Sequence, residues 1–299
     1  MTKGIAMAAI KYVDELEVEG KRVFARVDFN VPLDADGSVT DDTRIRETLP
    51  TLKWLLEKNA KLVLASHLGR PKGKPDPKFT LEPAGARLAE LLGKDVIFAH
   101  DCVGDGPRKI IGEMRPGQLV LLENTRFHKG EEANDDEFSR ALAAFADVYV
   151  NDAFGTLHRA HASTAGIASH VASKGAGFLV KRELEMLGKV KSNPPRPFVC
   201  VLGGAKVSDK IGVVDGLLDQ VDVFLIGGGM AYTFLKAQGI EVGASLVEAE
   251  ALKSARAVLA KIEGSGKRIL LPVDHVVADE MKESAPSFLT KGAAIAAGK

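Results

Sequence analysis

Short apolar, β-branched runs alternate with longer amphipathic stretches along the chain, the pattern of βαβ units around a largely parallel sheet. The spacing predicts strands over Arg22–Phe29, Lys61–Ser66, Asp95–Ala99, Gln118–Leu122, Val148–Val150, Phe198–Leu202, Val221–Ile226 and Arg268–Val273. It predicts helices over Arg44–Lys58, Leu81–Leu92, Asp135–Ala146, Ser208–Leu218, Met230–Gln238 and Leu246–Ile262. Thr43 or Asp42 is placed to cap the first helix and Lys58 to face its negative end. Trp54 falls beside Leu55 on that helix's apolar face and is read as core.

One segment breaks the alternation. Leu179–Lys191 reads as a charged helix running into Ser192, Asn193, Pro194, Pro195, Arg196 and Pro197, where the prolines forbid further helix. The βα pattern starts afresh at Phe198. The expected division is therefore residues 1–180 as one domain, 181–197 as an interdomain helix and proline-rich linker, and 198–299 as a second domain.

Composition narrows the function classes. With 299 residues, 45% of them apolar, and 40 basic against 40 acidic side chains, the chain is an ordinary folded protein rather than a disordered one. Zero net charge provides no global positive field for nucleic acid or an anionic membrane. The longest nearly apolar run, Val223–Leu235, has 13 residues including three glycines, too short to span a bilayer. Two cysteines, Cys102 and Cys200, make no disulfide framework and neither has metal-ligand spacing; Cys200 sits in an apolar run and is read as core. The apolar stretch Gly4–Ile10 is short and leads into acidic residues without a clear cleavage signal, so a reducing cytoplasm is the expected location.

In open parallel α/β sheets, ligands bind beyond the carboxyl ends of the strands. Asp28, Asn30 and Pro32 follow the first predicted strand; His67, Gly69, Arg70 and Pro71 the second; Glu123, Asn124, Arg126 and His128 the fourth; Asn151, Asp152, Gly155, His158, Arg159 and His161 the fifth. A lone arginine there is ordinarily a surface ion pair, and a lone histidine a satisfied polar residue. Arg70, Arg126 and Arg159 at successive strand ends, joined by Arg44 at a helix start, form a set. The planar guanidinium fork suits phosphate and carboxylate. Asp28, Glu123 and Asp152 are expected to orient these arginines rather than to transfer protons. His158 and His161 are spaced as metal ligands could be, but no third ligand follows at suitable spacing, so no metal site is assigned.

The second half carries two glycine-rich turns, each from a strand end into a helix start: Gly203 to Lys210, with Lys206 and Lys210, and Gly227 to Met230. Such turns let backbone N–H groups approach phosphate or a flat base. Neither matches the Walker A or the dinucleotide fingerprint, and the protein-kinase strings HRD and DFG do not occur. An anion-binding first domain and a phosphate-binding second one suit phosphoryl transfer between a small acid and a nucleotide.

The strings RVDFNVPL (Arg26–Leu33), SHLGRPKG (Ser66–Gly73), LLENTRFHKGEE (Leu121–Glu132), NDAFGTLHRAHAS (Asn151–Ser163), LGGAKVSDKI (Leu202–Ile211) and IGGGMAYTFL (Ile226–Leu235) closely resemble the bacterial-type phosphoglycerate kinase family, in family order. The resemblance implies an α/β fold of two doubly wound, Rossmann-like lobes joined by a hinge helix. It implies reversible transfer between 1,3-bisphosphoglycerate with ADP and 3-phosphoglycerate with ATP. The substrate contacts it implies are Asp28, Phe29, Asn30, Arg44, His67, Leu68, Gly69, Arg70, Arg126 and Arg159. The catalytic residues it implies are Arg44, Lys206 and Lys210, with Arg44 stabilising the phosphoryl group in flight. Gly204, Lys206, Lys210, Gly228 and Gly229 would bind the nucleotide. Mg²⁺ would accompany ATP or ADP, and the usual form is a monomer with no nucleic-acid or membrane partner.

The resemblance also implies segments not found in this sequence: a WNGPMGVFE-like string that contacts nucleotide and a GGGD-type turn that supplies the Mg²⁺ aspartate. The second lobe is accordingly expected to be incomplete, and the chain alone to show weak 3-phosphoglycerate binding with little turnover. Besides a kinase, a non-catalytic anion-binding fragment or interaction protein stays open, with a dinucleotide dehydrogenase as a more distant reading of the glycine turns.

Overall fold

The computed structural model describes residues 10–298 apart from 193, 281 and 283. The expected apolar stretch Gly4–Ile10 therefore lies outside the described residues except for Ile10, as does Asn193 of the proline-rich stretch. Two compact units meet between Glu185 and Met186.

The first unit is built on six parallel strands: β1 (Arg22–Arg26), β2 (Lys61–Ala65), β3 (Ile97–Ala99), β4 (Leu119–Leu122), β5 (Val148–Asn151) and β6 (Ser173–Ala176). Their order is β3-β4-β2-β1-β5-β6. The chain leaves β1 toward β2 on one side and later returns to β5 on the other, so the switch point lies between β1 and β5. Register fixes which residues share a face: Phe24 lies opposite Val63 and Tyr149, and Val63 opposite Val120. These four enter one core with residues of α3 (Asp105–Gly112), α5 (Asp136–Ala143) and α6 (Ile167–His170). Their neighbours Val23, Ala25, Leu62, Leu64, Val148 and Val150 enter a second core against α1 (Thr43–Glu57) and α2 (Glu82–Leu92). A sheet covered on both faces needs apolar residues at every position, which is why these strands read as continuous runs. Each fully buried Leu or Phe there contributes roughly 1.5–3 kcal/mol.

The predicted cap of α1 is not made. Asp42 occupies the cap position, but its carboxylate accepts from Arg46 Nε at 2.8 Å and Arg87 Nε at 2.8 Å. Asp41 instead accepts from the Thr43 N–H at 2.9 Å. Trp54 is half-buried against the core and meets Phe178 edge-on at 6.0 Å. The strand β6, the helix α3 and the short helix α4 (Lys129–Glu132) are not predicted by the sequence pattern. The first is Ser-Lys-Gly-Ala, poor in strand-formers, held by pairing with β5.

The helix α7 (Phe178–Ser192) carries the chain from one unit to the next. Its first turn is fixed from outside: Thr51 Oγ1 accepts from the Phe178 N–H at 2.9 Å, and Asp152 Oδ1 from the N–H groups of Leu179 and Val180 at 3.0 and 3.2 Å.

The second unit holds a parallel sheet of β7 (Val199–Leu202), β8 (Val223–Ile226) and β9 (Arg268–Leu270), order β7-β8-β9. Phe224 and Ile226 pack against Val214 of α8 (Ile211–Leu217), Met230 and Phe234 of α9 (Gly229–Ala237) and Val258 of α10 (Leu252–Ile262). The helices α8, α9 and α10 all pack on one face of this sheet; Val199, Val201 and Leu270 on the other are exposed. An antiparallel pair, β10 (Val276–Ala278) and β11 (Ser287–Leu289), follows. Two predicted helices start late. Ser208 stands in a turn because Glu248 takes both its N–H, at 2.9 Å, and its hydroxyl. The stretch from Leu246 becomes helical only at Leu252, after a 3₁₀ turn at Ala249–Ala251.

Candidate anion-binding site

Because all six strands of the first unit run parallel, their carboxyl ends lie on one edge, and the residues that follow β1, β2, β4 and β5 are gathered there. Arg44, near the start of α1, places Nη1 3.1 and 3.2 Å from the two oxygens of Asp28. The His67 Nδ1 lies 3.9 Å from Asp28 Oδ1. Asn30 Oδ1 accepts from the Gly69 N–H at 2.9 Å, and Arg126 Nη1 donates to the Gly69 carbonyl at 2.7 Å, so the β1, β2 and β4 loops form one bonded surface. Gly69 has φ +57°, and a Cβ there would stand 2.4 Å from the Phe79 ring, which makes glycine a requirement. At Gly155, beyond β5, a Cβ would stand 3.0 Å from Asp28 Oδ2, which places that loop against the end of β1.

Electrostatics converge on His67. Its imidazole is almost fully buried and its pKa is pushed down to about 2, first by burial and then by the charges of Arg26, Arg126, Arg159 and Arg44. The ring is therefore neutral, with Nδ1 accepting from Arg26 Nη2 at 3.2 Å. Burial, with Arg159 and Arg26, also lowers Arg126, although Glu132 lies 3.0 Å from its Nε. Burial lowers His161 too, against the opposing charge of Glu131. Burial by itself favours no anion, but the summed charges of Arg26, Arg126, Arg159 and Arg44 felt at His67 do.

Arg26 lies outside the site residues that the sequence singles out. It lies within a strand and is 1% exposed, so sequence position suggested core. Its Nε donates to Ser163 Oγ at 2.8 Å; that hydroxyl donates to Glu131 Oε1 at 2.6 Å, and the Ser163 N–H to Glu131 Oε2 at 2.9 Å. This buried chain holds Arg26 against His67. The available signal was a charged residue at a position where the sheet buries both faces.

Of the predicted residues, Arg44 is bonded to Asp28, and Asn30 and Arg126 are both bonded to Gly69; His67 lies 3.9 Å from Asp28 and is bonded to Arg26, and Arg159 reaches it through its charge. Arg70 is exposed, next to Gly69. Phe29 and Leu68 bury their side chains in the core, so only their backbone can meet a ligand. The expectation for the acidic residues holds for Asp28 alone. Glu123 accepts from Thr80 Oγ1 and from the N–H groups of Leu81 and Asn124, at 2.7–2.9 Å. Asp152 caps α7. Both fasten backbone instead of arginines. His158 and His161 belong to no metal-ligand cluster among the described residues; the one group of three with suitable spacing is Asp101, Cys102 and His128.

In the second unit, the two glycine turns pack backbone against backbone. The Met230 N–H donates to the Gly204 carbonyl at 2.8 Å, and a Cβ on Gly228, φ +67°, would stand 3.0 Å from the Gly204 nitrogen. Gly204, Lys206 and Lys210 are exposed beside them. Leu202, Gly203, Ile226, Gly227, Gly228, Leu271 and others line a shallow, largely apolar groove at the same strand ends. No described helix is long and apolar enough to cross a membrane.

An α/β protein with guanidinium groups massed at parallel strand ends belongs to the anion-handling class of such folds. Comparison with known proteins gives the particular family. The phosphoglycerate kinase family model matches residues 13–299. A phosphoglycerate kinase of Anaeromyxobacter dehalogenans (strain 2CP-C) is 57% identical over 292 residues, 97% of this chain and 74% of that relative. The structure of phosphoglycerate kinase from Coxiella burnetii superposes with a TM-score of 0.81 at 41% identity, covering 94% of this chain and 71% of that one. The Pyrococcus horikoshii structure gives 0.79 at 30% identity, covering 93% and 70%. The chain belongs to the phosphoglycerate kinase family and is an enzyme, a kinase of glycolysis. Nothing in these relationships favours the non-catalytic alternative.

Proposed function

We propose that the first unit binds 3-phosphoglycerate through the strand-end arginines and the second binds ADP or ATP at its glycine turns. The observation that carries the reading is the convergence of Arg26, Arg44, Arg126 and Arg159 on one neutral imidazole. The substrate's phosphate and carboxylate take the exposed guanidinium groups, with Asp28 holding Arg44 ready and Asn30 and Gly69 presenting the loop. Lys206 and Lys210 meet nucleotide phosphates, backbone at Gly204, Gly228 and Gly229 lets them approach, and the apolar groove receives the base.

The chemistry needs no general base. An ADP phosphate oxygen attacks in one direction and a carboxylate in the other, and both are ionised near neutral pH. Catalysis then rests on positioning and on charge neutralisation, with Arg44 facing the phosphoryl group in flight. Mg²⁺ enters as part of the nucleotide substrate. Asp101, Cys102 and His128, with their sulfur and nitrogen donors, do not suit it, and no other group of three such ligands occurs among the described residues. No step is assigned to a protein-held ion. The same reading gives a cytoplasmic monomer.

Calorimetric titration tests this directly. 3-Phosphoglycerate should bind far more tightly than glycerate or inorganic phosphate, and ADP should bind independently of it. Equal affinity for 3-phosphoglycerate and inorganic phosphate would overturn the assignment.

A further inference from the structure

Away from the strand-end arginines, the loop after β3 and the turn after β4 bring three unlike donor side chains together. One oxygen of Asp101, Sγ of Cys102 and one ring nitrogen of His128 all lie within 4.8 Å of one another. Asp101 Oδ1 is 2.6 Å from His128 Nε2 and accepts from the Cys102 N–H at 2.6 Å. The His128 ring stacks on Phe138 with centroids 4.8 Å apart, which sets its plane. Cys102 is fully buried, and its thiol donates to the Glu123 carbonyl at 2.8 Å. The Asp101 and His128 side chains are 53% and 30% exposed, so the cluster opens to solvent on their side.

We propose that Asp101, Cys102 and His128 form a binding site for a soft divalent cation of the zinc type. One sulfur, one imidazole nitrogen and one carboxylate oxygen make the mixed donor set such ions prefer over Mg²⁺ or Ca²⁺. Three protein ligands leave a position for water. With bonds of about 2.0–2.3 Å, tetrahedral ligands stand roughly 3.3–3.8 Å apart. Asp101 and His128 must part by about 1 Å from their present hydrogen bond, which the exposed Asp101 carboxylate can do by rotating about χ1 and χ2. The surroundings favour a cation: besides Asp101, the carboxylates of Glu131 and Glu123 make the potential at the thiol negative.

A metal–sulfur bond replaces the S–H bond and the thiol proton passes to solvent; Nε2 turns its lone pair to the ion while the neutral ring carries its proton on Nδ1. Binding would clasp the β3 loop to the turn that carries Arg126, two residues before His128.

Cd²⁺ is the probe, because its bond to thiolate gives an ultraviolet charge-transfer band. The C200S protein leaves Cys102 as the one thiol. Titration should produce a band that saturates at one Cd²⁺ per chain, releases a proton and is displaced by Zn²⁺. C102S should abolish the band. H128Q and D101N keep the thiol and should each weaken binding at least about tenfold, with circular dichroism confirming that they fold. Absence of the band, or a band whose affinity is unchanged in both H128Q and D101N, would overturn the site. The test reads neither 3-phosphoglycerate nor nucleotide, so it is independent of the proposed function.

Discussion

Asp152 ties the end of β5 to the first turn of α7, and its ionisation should leave a readable mark on stability. The side chain is fully buried and its pKa is raised from 3.8 to about 6, chiefly by burial, against opposing hydrogen bonds from Thr51, Val180 and Leu179. A carboxyl whose folded pKa lies above its unfolded one contributes full stability below about pH 4 and loses it as pH rises through 6. A gap of about two pK units is worth about 3 kcal/mol. Asp152→Asn removes the titration but keeps an oxygen to accept from the N–H groups of Leu179 and Val180. Other carboxylates work the opposite way: the pKa of Asp147 is lowered by its bonds to Arg22, so it stabilises as pH rises. The informative quantity is therefore the difference between mutant and parent. The single tryptophan, Trp54, edges onto Phe178 at the start of α7, so its fluorescence in urea reports on this junction. The stability of D152N minus that of the parent should rise by about 2.5 kcal/mol between pH 4 and pH 7. A difference that stays flat across that range would refute the assignment of a buried, raised carboxyl.

Three further outcomes follow from the packing and the exposed lysines. Gly177→Ala would place a Cβ 2.3 Å from Asp152 Cγ, and the same fluorescence assay should show a loss of about 1–3 kcal/mol. Ser163→Ala removes the hydroxyl between Arg26 and Glu131, both buried; urea unfolding should show a loss of about 2–3 kcal/mol, well above that of an exposed Ser→Ala control. Lys206→Ala with Lys210→Ala should weaken ADP binding by roughly tenfold or more in calorimetry while the melting temperature hardly moves, since both side chains are exposed.

Much of the fold is legible in the sequence because a doubly covered parallel sheet writes itself as uninterrupted apolar runs. Elements that depend on partners are not. The strand Ser173–Ala176 exists through its pairing with β5, and Ser208 leaves its expected helix because Glu248, forty residues on, takes its hydrogen bonds. The site shows the same division. Asp28, His67, Arg126 and Arg159 sit where parallel strands must end, so their gathering follows from topology. Arg26 is hidden inside a strand, and its partners Ser163 and Glu131 come from distant segments that only tertiary packing brings together. Glu123 and Asp152 look like arginine partners in sequence, yet buried backbone N–H groups claim them first.

Of the strand-end guanidinium groups proposed to bind the acidic substrate, Arg44 offers the cleanest separation of binding from stability. Its side chain is half exposed and paired with Asp28, so Arg44→Ala should cost no more than about 1 kcal/mol of folding free energy. Losing a charge-assisted bond to substrate should cost about 1.5–3 kcal/mol of binding, roughly a 10–150-fold weaker 3-phosphoglycerate Kd by calorimetry. R44A should show that loss with a urea midpoint hardly changed; an unchanged Kd in a folded R44A protein would mean that Arg44 does not hold the substrate.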